Sequence, residues 1–74
     1  MNNRSPDLRK DKIMADMRGY LFKNSAVKIV DINGTSEQGR VFSIDKTYGI
    51  TIFVGKRDQK HSFKFESILS YGVV

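Results

Sequence analysis

Few side chains in this 74-residue chain could do chemistry. It has one histidine, His61, and no cysteine, so nucleophile–base pairs and thiolate metal sites lack their parts. Without a second imidazole or thiol, His61 reads first as an ordinary strand residue and second as a polar contact for a ligand. Asp45 could be imagined as a general base, but an aspartate closing a strand more often accepts from the N–H groups of the next loop. The glycines at 19, 34, 39, 49, 55 and 72 follow no phosphate-loop pattern, and each falls at a turn, a bend or a chain end. Neither enzymatic activity nor a metal or cofactor is expected.

The chain does offer cations beside aromatics. Thirteen Lys and Arg against eight Asp and Glu leave a formal charge of +5, which favours a polyanionic partner. Arg4, Arg9, Lys10, Lys12 and Arg18 interleave with Asp7, Asp11 and Asp16, a pattern equally at home on a solvated helix face. Lys56, Arg57, Lys60 and Lys64 form a denser group, interrupted by Asp58 alone. Phe22, Phe53, Phe63 and Phe65 occupy apolar positions and read as core or interface. Tyr48 differs, because it stands in a connection between strands beside Lys46. There the ring either stacks on a base, with the ammonium at a phosphate, or simply packs, and the residues favour neither. Tyr71 reads as packing at a subunit edge.

The elements that must position these groups follow from periodicity. Residues 1–5 are polar and expected to be flexible, and 6–74 to form a single domain. Ser5, Pro6 and Asp7 suit a helix start. Ile13, Met14, Met17 and Leu21 recur at helical spacing after Leu8, predicting a helix over about 6–22. A strand follows at 26–32, then Asn33-Gly34, which signals a hairpin with a type I′ turn. The second strand, 35–45, holds Gly39, where a bulge or sharp bend is expected. Strands at 49–54, 60–65 and 68–73 complete a mainly β chain with one N-terminal helix: a strongly bent, five-stranded antiparallel small barrel.

So small a domain buries little surface, and with no cysteine to form disulfides, self-association is the remaining supplement. The opening residues lack the apolar stretch of a signal peptide, and no apolar run approaches the roughly 20 residues that cross a bilayer. A cytoplasmic protein without membrane partners is the expectation.

The chain resembles the Sm-like superfamily, and most closely its bacterial RNA-chaperone branch, the Hfq family, as a divergent member. Val27-x-Ile29-x-x-Ile32-Asn33-Gly34, then Gly39-x-Val41-x-x-Ile44-Asp45, then Tyr48-Gly49-Ile50 carry the likeness, and the preceding helix fits it. The departures are specific. Where the chaperone branch has a Tyr-Lys-His triplet at its uridine-binding pore, this chain has Lys64-Phe65-Glu66. The arginine cluster at the helix end is replaced by Leu21-Phe22-Lys23-Asn24, and the first-strand aromatic of the adenine-binding face by Val30. A weaker likeness, to short barrels of the YolD-like type, rests on Gly39 to Asp45 and Phe65 to Ile68.

The resemblance implies a homo-oligomeric ring, a hexamer, that holds single-stranded RNA, with strands four and five of neighbouring copies paired edge to edge. The candidate RNA contacts are Lys46, Tyr48, Asn33, Gly34, Lys64, His61, Arg9, Lys10 and Lys12. The candidate interface residues are Phe63, Phe65, Ile68, Tyr71 and Val73. No small-molecule substrate is expected. The alternative is an Sm-like or SH3-like small-barrel scaffold that has lost the RNA pockets.

Overall fold

The computed structural model describes residues 6–55 and 59–74. The expectations for residues 1–5, the Ser5 cap and the Lys56-Arg57-Asp58 turn lie outside them, as does the side chain of Leu8. Helix α1 (Pro6–Lys23) precedes β1 (Ala26–Asp31), β2 (Ser36–Asp45), β3 (Gly49–Val54) and β4 (Gln59–Phe63). A 3₁₀ turn at Phe65–Ser67 then leads into β5 (Ile68–Val73). No described helix is long and apolar enough to cross a membrane.

The helix ends where Asn24 takes a left-handed φ of 55°, and Ser25 N–H donates to Tyr20 C=O at 2.9 Å. That pairing, with Asn24 N–H to Leu21 C=O at 3.1 Å, is a Schellman closure. Ile13, Met14 and Met17 are buried as their spacing predicts, but Leu21 is 45% exposed. Tyr20, three residues beyond Met17, packs on the core in its place.

All five strands form one antiparallel sheet in the order β4-β3-β2-β1-β5. Its two edges belong to β4 and β5, which are consecutive in the chain and joined by a single 3₁₀ turn. The sheet must therefore curl until its edges approach, which is the strong bend read from the sequence. Val27 and Ile29 of β1, Ile50 and Ile52 of β3, and Ile68 of β5 are all at most 1% exposed in the interior. A fully buried aliphatic side chain of this size contributes about 1.5–3 kcal/mol.

Two expectations about the bend need correction. The β2–β3 register shifts between Val41 and Ser43, so the bulge falls at Phe42 and not at Gly39. Gly39 serves close approach instead: a Cβ there would lie 1.6 Å from the Phe53 carbonyl oxygen. The Asn33-Gly34 turn is not type I′, since only Gly34 has positive φ (88°). Gly34 N–H donates to Asp31 C=O, and Asp31 N–H to Thr35 C=O, each at 2.9 Å. This is the longer hairpin loop in which a left-handed glycine follows an ordinary turn. Strand β4 also stops at Phe63, and Phe65 begins the 3₁₀ turn, although its ring is still buried.

Candidate functional site

Asp45 ends β2 as a cap. Its Oδ1 accepts from Thr47 N–H at 2.7 Å and from Tyr48 N–H at 3.0 Å. The carboxylate thus holds the loop that carries Lys46 and Tyr48, and the Tyr48 side chain stands 76% exposed. Next in the chain, Gly49 has φ 127°, and a Cβ there would fall 2.0 Å from the Phe63 oxygen and 3.0 Å from Lys64 Cα. The backbone after Tyr48 therefore lies directly against the backbone that presents exposed Lys64. Lys46, Tyr48 and Lys64 are brought to one end of the barrel.

The same end receives the β1–β2 turn. Ile32 N–H donates to Ser67 C=O at 2.9 Å, which sets Asn33 and Gly34 on the far side of the 3₁₀ turn. Asp31 caps this turn as Asp45 caps the other, accepting from Asn33 N–H at 2.9 Å and Thr35 N–H at 3.0 Å. Between the two loops stands Glu66, exposed, the one carboxylate of the 3₁₀ turn.

The helix cations divide. Arg9 donates through Nη1 to Phe65 C=O at 3.1 Å and through Nη2 to Ile68 C=O, clamping α1 onto the 3₁₀ turn. Lys10 places its Nζ 5.4 Å from the Phe65 ring centroid. Lys12 stands apart, paired with Asp16 at 2.9 Å. His61 also stands apart, its Nδ1 3.8 Å from Glu37 Oε2 and its ring 4.7 Å from that of Phe63. Among the described residues, no group of three carboxylate or imidazole side chains stands close enough to share a metal ion.

Of the interface candidates, Phe63, Phe65 and Ile68 use their side chains in the core, leaving only their backbones near the sheet edges. Tyr71 is half-buried, and its hydroxyl donates to Asp16 Oδ2 at 2.6 Å. Burial, and then the bond to Asp16, push the Tyr71 phenol up to about 12. Bonds from Tyr71 and then Lys12 hold the Asp16 carboxyl below its ordinary value. Val73 is exposed, as is Leu69, which sequence reasoning passed over. Phe22, read as core or interface, is 91% exposed in the single chain.

Sequence reasoning also missed a cavity of about 390 Å³ on β1, β2 and β5, lined by Lys28, Val30, Gln38, Ser70, Gly72 and Val73. No local sequence pattern announces it.

The sequence matches no family model and no curated protein. Among solved structures, the chain is similar to the crystal structure of the pleiotropic translational regulator Hfq. The two superpose with a TM-score of 0.66 over 97% of this chain and 100% of that one, at 17% sequence identity. The fold is the Sm fold seen in Hfq, with one helix and a mainly β body.

Proposed function

We propose that this chain is a non-catalytic RNA-binding protein that assembles into a homo-oligomeric ring, a hexamer, and holds single-stranded RNA as a chaperone in post-transcriptional regulation. One observation carries this reading: the Asp45 cap holds the backbone of the loop that carries the exposed Tyr48 ring and Lys46, and the adjoining Gly49 backbone lies against the strand end that bears Lys64. An exposed aromatic ring on a loop with lysines on it and on the neighbouring strand end suits a base and its flanking phosphates. The shared fold with a translational regulator supports the same direction. The two free strand edges and the exposed Leu69 and Val73 on β5 support assembly, which would cover both and repeat each weak site around an axis.

Sedimentation of the purified chain and titration with labelled U-rich and A-rich oligoribonucleotides test this together. The expected outcome is a discrete oligomer whose RNA affinity falls steeply with salt. A monomer without salt-dependent RNA binding would remove the proposal.

A second reading is favoured by Glu66, whose exposed carboxylate lies between the two candidate loops. On that reading the chain is a small-barrel scaffold for protein partners, and neither oligomer would bind appreciably.

A further inference from the structure

Helix α1 turns Ile13, Met14 and Met17 to the core, with Tyr20 packed beside them. At 3.6 residues per turn, Ala15, Gly19 and Phe22 fall on the opposite side, where a helix lying on a sheet ordinarily carries polar residues. All three are exposed, Phe22 at 91%. Among the described residues, the helix's own backbone aside, nothing stands within 4 Å of where a Gly19 Cβ would lie. The outer side of α1 is therefore an apolar strip, low at Ala15 and Gly19 and raised at Phe22.

The charges beside this strip complement those of a second, antiparallel copy. Asp11 and Arg18 border one side of it, both exposed, and neither forms an ion pair among the described residues. A two-fold axis midway between them, beside Ala15, sets Asp11 of each helix opposite Arg18 of the other. Ala15 then meets its own counterpart, and so small a side chain lets two helix axes approach to about 8 Å. Phe22 of each copy falls over the first turn of the other helix. Lys12 and Lys23 border the other side of the strip, and in this register they are displaced by about 9 Å along the axis, so they do not face each other. Lys12 is already paired with Asp16 of its own chain at 2.9 Å.

We infer that the outer side of α1 docks on the same side of a second copy of this chain, antiparallel, about a two-fold axis beside Ala15. The contact is isologous and separate from any pairing of the β4 and β5 edges, which it leaves open. It needs neither RNA nor a ring. One helix pair buries less than the roughly 800 Å² per partner of a stable complex, so single chains associate weakly through it. Copies already joined by their strand edges present the strip several times over, and the same contact then becomes firm.

The chain has no cysteine, so Ala15→Cys in the full chain places a lone thiol beside the axis. Oxidation with diamide should link it into covalent dimers, because the two Cα atoms there come within disulfide reach. Thr47→Cys, at an exposed position away from α1, is the control and should link slowly. In sedimentation over a concentration series the parent particle should double in mass, and Phe22→Ala should weaken that step at least tenfold. Asp11→Arg should weaken it about tenfold, and combining it with Arg18→Asp should recover it. Ala15→Cys linking no faster than Thr47→Cys, doubling that survives Phe22→Ala, or a double variant as weak as Asp11→Arg would each overturn the inference. Retention on phosphatidylglycerol vesicles that depends on Phe22, without any doubling, would assign the strip to a lipid surface and overturn it as well.

Discussion

The Tyr71 hydroxyl donates to Asp16 Oδ2 at 2.6 Å, joining residues 55 positions apart and fixing the middle of α1 over the edge strand β5. Lys12 reaches the same oxygen at 2.9 Å from one helical turn earlier. Removing the hydroxyl with Tyr71→Phe should cost about 1 kcal/mol, because the carboxylate is partly exposed and water replaces some of the bond. Equilibrium denaturation measures it.

The same bond makes stability depend on pH at both extremes. Asp16 is held below the ordinary aspartate value of 3.8, so its contribution is present above that value and is lost as pH falls through the lowered one. Tyr71 is raised from 10.0 to about 12, so its contribution is full below pH 10.0 and disappears as pH rises towards 12. Melting curves of the parent chain and Asp16→Asn should converge in acid and separate near neutrality. Parallel curves would mean that the bond does not form in solution. In an ultraviolet titration, one of the three tyrosines should ionise late, and Tyr71→Phe should abolish that step.

Two glycines in strands should respond very unequally to alanine. A Cβ on Gly39 would lie 1.6 Å from the Phe53 carbonyl oxygen, and backbone cannot yield that far without parting β2 from β3. Gly39→Ala should cost about 3 kcal/mol or more. Gly72 has nothing within 4 Å of the same position, so Gly72→Ala should stay within about 0.5 kcal/mol. Thermal denaturation of the pair is a direct comparison.

At the candidate loop, Tyr48→Ala should weaken binding of a U-rich oligoribonucleotide about tenfold, while Tyr48→Phe, which keeps the ring, should bind as the parent does. Because Tyr48 is 76% exposed, neither change should alter the melting temperature appreciably. Equal loss in both variants would assign the hydroxyl, and not stacking, to the contact.

Asp45→Ala removes the acceptor for two loop N–H groups and should cost about 1–2 kcal/mol. It should also weaken RNA binding without touching RNA, by releasing Tyr48. Asp45→Asn keeps one acceptor oxygen and should restore most of both, a recovery that loss of negative charge alone would not produce.

Much of the architecture was legible because neighbours along the chain decide it. Alternation bounded by glycine gave Gly49–Val54, and the Glu66-Ser67 break placed the start of Ile68–Val73. Asp45 as a loop cap could be read from its place at a strand end. The bulge could not, since Gly39 looked the weak point while the register of β3 put the irregularity at Phe42. Leu21 fitted the helical stripe, yet the core ends before it, which only the sheet's extent decides. Within the candidate site, Lys46 beside Tyr48 could be read from the loop, whereas the approach of Lys64 depends on Gly49 meeting the Phe63–Lys64 backbone, which only the β3–β4 pairing decides. Arg9 was read as a candidate RNA contact on the helix face, and its bonds to carbonyls 56 and 59 residues away leave no local trace.

Those Arg9 bonds have a thermodynamic consequence. The guanidinium ties the first turns of α1 to Phe65 and Ile68, which bracket Glu66 and follow directly on Lys64. Docking of the helix and ordering of that turn therefore share free energy, and linkage makes the exchange reciprocal. A ligand that settles on Lys64 should slow hydrogen exchange of helix amides that it never touches, and Arg9→Lys should uncouple the two. On these terms the helix and the 3₁₀ turn are two halves of one cooperative unit, and loosening either should loosen the other.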